Sequence, residues 1–86
     1  MAYQVNIPKA VQKQLDNLPE QIYERIIEDI IQLRNNPRPF NAIKMKNNRG
    51  YRMRIGDYRV LYDIDDEDQI IILRRVGHRR EIYRSE

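Results

Sequence analysis

The spacing of hydrophobic residues divides the chain into a helical first half and a strand-rich second half. Residues 2–7 alternate between apolar and polar positions, which predicts a short first strand. Pro8 suits a first helical turn, and the amphipathic spacing that follows predicts a helix over about residues 8–17. A second, longer helix is predicted from Pro19 to about Arg34.

The second helix carries two apolar stripes. The usual core-facing stripe is formed by Ile22, Ile26, Ile30 and Leu33. A neighbouring stripe, called the second stripe below, is formed by Tyr23, Ile27 and Ile31. Because about half of the helix circumference is apolar, more than one surface must cover it. The second stripe either packs on the first helix or binds a partner, and both readings stay open.

The second half of the chain follows the period of β-strands. A brief strand over 43–46 and a turn over 47–50 lead into a hairpin over 51–62, whose turn is Gly56-Asp57. An acidic turn over 65–68 precedes a last strand over 69–76, and a basic tail follows. We therefore predict an α+β fold in a single domain over residues 1–86. Two helices cover one face of a mainly antiparallel sheet of four or five strands, in the order β-α-α-β-β-β-β.

The hairpin gathers positive charge on one face of this sheet. Arg52 and Arg54 share a face, and a two-residue turn places Arg54 opposite Arg59. Like charges placed opposite each other destabilise a sheet, so a bound polyanion explains the pattern better than folding does. A symmetric acidic turn would place Arg74 opposite Arg59, and a slip of one residue would place Arg75 there.

Charge is unevenly distributed, although the net charge is only +3. Residues 44–59 hold six Lys/Arg and one Asp, residues 63–68 hold five Asp/Glu, and residues 74–84 hold five Arg and one Glu. This pattern fits an ordinary salt-bridged surface. It also fits a basic patch for phosphate, with the acidic segment at the far end of a hairpin.

Composition excludes several kinds of site. The chain has no Cys and one His, which excludes disulfides, thiolate chemistry and a His-rich metal site. We predict no metal and no cofactor. The longest apolar run, Ile70 to Leu73, is far shorter than the roughly 18 residues of a membrane span, and the N-terminus lacks a signal-peptide pattern. A cytoplasmic protein that does not enter the membrane is the default expectation.

The sequences YRMRIGDYRVLY at 51–62 and LRRVGHRREIY at 73–83 resemble the RelE/ParE toxin superfamily of toxin–antitoxin systems, its RelE branch in particular. The likeness extends over essentially the whole chain. It implies a metal-independent endoribonuclease that depends on the ribosome and cuts mRNA in the A site. In that reaction the 2′-hydroxyl attacks the adjacent phosphate, which requires proton transfer and cations around the phosphorane.

The resemblance also implies roles for individual residues. Arg59 and Arg79 would stabilise the phosphate, and Tyr83 would orient a base and assist proton transfer. RelE has lysines where this chain has Arg52 and Arg54, and a guanidinium does not lose its proton at ordinary pH. These two arginines are therefore phosphate clamps rather than general bases. Further candidate RNA-binding residues are Lys44, Lys46, Arg74 and Arg80.

His78 is the candidate for the missing proton transfer. Its unperturbed pKa, about 6.5, lies near neutrality. The alternative reading is an ordinary residue at a strand end that hydrogen-bonds to a carbonyl.

A second function stays open beside the nuclease. ParE-type toxins share this fold and much of the hairpin pattern, but they bind DNA gyrase and are not nucleases. The arginines of the hairpin, together with the tail, favour the RelE branch. Either kind of toxin implies a cognate antitoxin, a small neighbouring protein. The second stripe and the edge strand near Lys44 are candidate docking surfaces for it.

Overall fold

The computed structural model describes residues 2–47 and 50–85, which form five strands and three helices. In chain order these are β1 Gln4–Asn6, α1 Lys9–Asp16, α2 Glu20–Gln32, β2 Ala42–Lys44, β3 Tyr51–Ile55, β4 Tyr58–Asp65, β5 Ile70–His78 and α3 Arg79–Ser85. The predicted α+β fold is confirmed. The basic tail, for which the sequence suggested no more than one helical turn, forms the helix α3. None of the described helices is long and apolar enough to cross a membrane.

The strands form one sheet in the order β1-β5-β4-β3-β2. β1 pairs with β5 in parallel, and the other neighbours are antiparallel. The long strands β4 and β5 occupy interior positions, which suits β5 because both of its faces carry apolar residues. The short strands β1 and β2 form the two edges.

The core lies between one face of the sheet and the helices α1 and α2. The two helices contribute Val11, Leu15, Ile26 and Ile30, and the C-cap of α2 contributes Leu33. The sheet contributes Met53, Ile55, Val60, Tyr62, Ile71, Leu73 and Val76. The predicted core-facing stripe of α2 is therefore correct, with Ile22 partly buried beside the core. Arg52, Arg54 and Arg59 lie on the opposite face of the sheet.

The second stripe of α2 is buried to different degrees along its length. Tyr23 and Ile27 are half-buried and pack against the core, whereas 54% of Ile31 is exposed. Ile31 is thus the member of this stripe that offers most of its surface to a partner.

The hairpin between β3 and β4 has the predicted register. Arg54 lies opposite Arg59, and Gly56 has a φ of +58°, which fits glycine at the first position of a type II′ turn. Of the predicted turn over 47–50, residues 48 and 49 lie outside the described residues.

The predicted register between β4 and β5 is wrong. Arg59 lies opposite Gly77, and neither Arg74 nor Arg75 faces it. The turn occupies residues 66–69 instead of 65–68, and the register shifts again beside Leu61, where the β5 strand carries one extra residue. The three-strand row of arginines that the symmetric turn implied does not form.

Candidate active site

The helix α3 lies across the face of the sheet that carries the arginines. Gly77 leaves room for it: a Cβ there would be 3.3 Å from Oε2 of Glu81 and 3.7 Å from Cδ1 of Ile82. Ile82 is fully buried in this contact. Because Gly77 lies opposite Arg59, the helix is held directly beside that arginine.

Arg59 is a buried cation whose guanidinium donates hydrogen bonds to two carbonyls and a phenol. Only 6% of the residue is exposed. Its Nη1 donates to the carbonyls of Gly56 (2.9 Å) and Tyr58 (2.8 Å), and its Nε donates to the Tyr83 hydroxyl (3.2 Å). Within the described residues it pairs with no carboxylate. Since buried arginines are normally paired, the charge of Arg59 is available to an incoming anion.

Tyr83 of α3 lies among three arginines. The guanidinium carbons of Arg52 and Arg59 are 5.2 and 5.8 Å from the centre of its ring, within the range of cation–π attraction. The hydrogen bond from Arg59 lowers the pKa of the Tyr83 hydroxyl, and the charges of Arg52, Arg59 and Arg79 lower it further. Arg79 is on the same side of α3, four residues earlier. A phenol in this setting gives up its proton more readily than an ordinary tyrosine.

The arginines and Tyr83 border a depression of about 400 Å³ on the sheet face. Its lining residues are Phe40, Asn41, Ile43, Arg52, Arg54, Arg59 and Tyr83. None of these described residues carries a carboxylate. Arg54 is exposed, and in the described part of the chain its guanidinium has no hydrogen-bond or ion-pair partner. The depression can therefore bind an anionic group through several guanidinium groups at once.

His78 does not face this depression. It pairs with Tyr58 on the helix-covered side of the sheet, and the two rings meet edge to face at 5.3 Å. Its Nδ1 accepts a hydrogen bond from the backbone N–H of Arg80 at 3.2 Å. His78 is thus the N-cap of α3. Neighbouring residues of β5 point to opposite faces of the sheet, so His78 points away from the face on which α3 and Tyr83 lie. This geometry does not favour the predicted role of His78 in proton transfer.

The other predicted contacts are spread around the site. Lys44 is on the edge strand β2 and Lys46 follows it, both exposed. Arg80 is exposed on α3. Arg74 is not brought to the depression, because its Nη1 is paired with Asp63 at 2.5 Å.

Sequence reasoning missed one side of the depression. Phe40 and Asn41 lie in the loop between α2 and β2, and Ile43 lies in β2, where the sequence predicted only a brief strand over 43–46. A signal was present: Phe40 is a large apolar residue in a polar, proline-containing loop, and in the structure it is fully exposed.

Comparison with known proteins assigns the family. The model of the family described as the ParE toxin of type II toxin–antitoxin systems matches residues 5–83. The chain is 36% identical over 89 residues to the putative toxin RelE1 of Methanocaldococcus jannaschii, with 99% of each chain covered. It is 33% identical over 86 residues to toxin RelG of Mycobacterium tuberculosis, with 98% of this chain and 99% of RelG covered.

A solved structure agrees with these relatives. The archaeal RelE–RelB complex from Pyrococcus horikoshii matches with a TM-score of 0.81 and 36% identity, covering 92% of this chain and 97% of that one. The chain belongs to the RelE/ParE superfamily of toxins of type II toxin–antitoxin systems. The resemblance read from the two arginine-rich segments is confirmed.

Proposed function

We propose that this toxin is an endoribonuclease that cuts translated mRNA on the ribosome. The observation that carries the proposal is Arg59, a buried guanidinium that has no carboxylate partner in the described residues and donates to Tyr83 at 3.2 Å. An RNA phosphate would supply the missing anion. The likeness to proteins named RelE, at 36% identity, supports the same reading.

The reaction needs no group beyond those at the depression and solvent. The 2′-oxygen forms a bond to phosphorus as the bond from phosphorus to the 5′-oxygen breaks, which leaves a 2′,3′-cyclic phosphate and a 5′-hydroxyl. Arg52, Arg54 and Arg59 stabilise the charge on the phosphorane oxygens. Tyr83 in its ionised form takes the proton of the 2′-hydroxyl, and water returns a proton to the 5′-oxygen. We therefore assign proton transfer to Tyr83 and helix capping to His78.

A cognate antitoxin is the partner we propose for this chain, because the archaeal relative was solved as a RelE–RelB complex. Two exposed apolar residues are candidate contacts for the antitoxin: Ile31 on α2 and Ile43 on the edge strand β2. An edge strand offers unpaired backbone groups to an added segment. Ile31→Asp should weaken antitoxin binding if α2 is the docking surface, and unchanged affinity in the folded variant would exclude that surface.

Mapping of mRNA 5′-ends tests the nuclease directly. The toxin and its Arg59→Gln variant are induced in cells without antitoxin, with Lys9→Gln on the exposed start of α1 as the matched control. Cuts in register with codons should appear for the toxin and the control and disappear for Arg59→Gln.

The matching family model bears the name of ParE toxins, so gyrase inhibition is the second candidate function. It predicts the opposite result in the same cells: intact mRNA and accumulated gyrase–DNA cleavage complexes. That outcome would refute the nuclease.

A further inference from the structure

Phe40 stands at the tip of a tight turn next to the arginine depression. The backbone N–H of Ala42 donates to the carbonyl of Pro39 at 2.9 Å, which closes a four-residue turn around Phe40. The following residue, Asn41, is bonded twice to Arg54. Its carbonyl accepts the Arg54 N–H at 3.0 Å, and its Nδ2 donates to the Arg54 carbonyl at 2.8 Å. Phe40 is therefore held at a fixed place beside Arg54.

The chain before the turn is anchored as well. Arg38 forms an ion pair with Asp66 at 2.6 Å and donates through Nε to the Tyr51 hydroxyl at 2.9 Å. The carbonyl of Pro37 accepts a hydrogen bond from the buried Tyr62 at 2.7 Å. Because the chain is anchored by these contacts before Phe40 and by the bonds of Asn41 after it, Phe40 is exposed on an ordered turn.

The ring of Phe40 contributes nothing to the core, since the residue is fully exposed to solvent. It nevertheless shares one depression with Arg52, Arg54 and Arg59, and the aromatic ring of Tyr83 lines the same depression. Aromatic rings placed along a cationic groove are the arrangement that binds single-stranded nucleic acid, because bases stack on the rings while phosphates meet the cations. The guanidinium of Arg54, which has no partner among the described residues, would offer a phosphate contact beside the ring.

We propose that Phe40 is a base-stacking residue, on which one base of the bound RNA strand rests while a neighbouring phosphate lies against the arginines. This inference depends on the proposed RNA substrate and extends it, since it names a contact that positions the strand. The pair of aromatics, Phe40 and Tyr83, would then hold bases on two sides of the same group of arginines.

The test uses the absence of tryptophan from the chain. Phe40→Trp introduces one fluorescent indole at the proposed platform. The probe is a dye-labelled single-stranded RNA with 2′-O-methyl groups, which cannot be cut, and a second RNA of the same length without bases. Binding is measured by dye anisotropy at low salt for the parent, Phe40→Ala, Phe40→Leu and Phe40→Trp. Phe40→Leu is the matched control that keeps an apolar side chain without a ring.

Stacking predicts that Phe40→Ala and Phe40→Leu bind the RNA about tenfold more weakly or worse, with unchanged melting temperatures. Phe40→Trp should bind at least as tightly as the parent, and its fluorescence should be quenched by the RNA but not by the baseless RNA. Equal affinity of all four proteins for the RNA would overturn the inference while leaving the nuclease intact. No binding of the parent to this RNA would overturn the inference, whereas the nuclease itself is decided separately by the mapping of mRNA 5′-ends. If Phe40→Ala weakens antitoxin binding and not RNA binding, the residue is a protein contact and the inference is wrong.

Discussion

At the scale of single residues, two arginines at the depression are placed to bind an anion, although their mutual repulsion lowers the stability of the fold. Arg54 and Arg59 face each other across two strands, and neither is paired with a carboxylate in the described residues. Such a pair is unfavourable for folding. An RNA phosphate bound beside the two arginines would attract both guanidinium groups. The consequences can be measured one side chain at a time.

Replacing Arg54 with threonine should separate stability from function. The exposed strand position suits a β-branched residue, and the change removes the like charge opposite Arg59. We expect the free energy of unfolding to rise by about 0.2–1 kcal/mol in urea titrations while mRNA cleavage falls. Lys44→Thr is the control, because Lys44 lies opposite Tyr51 and relieves no repulsion. A less stable Arg54→Thr variant would contradict this account.

The pH dependence of cleavage should distinguish Tyr83 from His78. The reactive form of Tyr83 is the ionised one, and neighbouring arginines lower its pKa, so the rate should rise with pH to a plateau below the ordinary tyrosine pKa of about 10. Tyr83→Phe should lose that rise and about 10²–10⁴-fold in rate. The profile is measured by single-turnover cleavage on programmed ribosomes.

His78→Ala is the comparison for this profile. Loss of an N-cap costs about 0.5–2 kcal/mol and loosens α3, but the rise of rate with pH should stay. If His78→Ala abolishes the rise and Tyr83→Phe keeps it, our assignment of proton transfer is wrong.

At the scale of elements, α3 is held at the site by a close approach to β5. Gly77→Val should push this helix away, because even one added carbon would lie 3.3 Å from Glu81 and valine adds two more. We expect faster amide hydrogen exchange over residues 79–85 and a large loss of cleavage. Gly77→Ala should show both effects weakly. Unchanged exchange in the valine variant would mean that α3 does not depend on this contact.

The acidic turn between β4 and β5 is tied to the loop before β2. The Arg38 guanidinium holds the pKa of Asp66 below its usual range, and the hydrogen bond from Tyr3 adds to this. A carboxyl whose folded pKa is depressed stabilises the fold above its unfolded pKa, about 3.9, and loses that effect as pH falls through the folded value.

Asp66→Asn should therefore lower the melting temperature at pH 7, and the difference from the parent should shrink below about pH 4. Asp68→Asn, in the same exposed turn, is the control and should change little. A deficit that is as large at pH 2 as at pH 7 would show that the ion pair is not its cause.

For the whole molecule, the sequence predicted the layers and the hairpin, but not how the ends of the sheet are arranged. The turn at Gly56 and Asp57 is local, so it fixed the pairing of Arg54 with Arg59 correctly. The bulge near Arg74 depends on β4 and β5 together, and a shift there moves every later side chain to another face. The position of His78 beside Tyr58, on the helix-covered face, could not be predicted without this register. The role of Phe40 could not be predicted from the local sequence, because its position depends on hydrogen bonds between Asn41 and Arg54 of β3.

The two kinds of contact proposed for RNA, charge and stacking, should separate in their dependence on salt. Each phosphate neutralised by the arginines contributes about −0.7 to the slope of log affinity against log salt for a single strand. Two to four contacts predict a slope of roughly −1.5 to −3 for the parent.

Arg54→Thr should make the slope about 0.7 less steep. Phe40→Ala should lower affinity at every salt concentration without changing the slope, because a stacked base releases no counterion. Anisotropy titrations with the uncuttable RNA from about 50 to 200 mM salt measure both effects. A slope that changes with Phe40 and not with Arg54 would mean that the strand follows another path across the sheet.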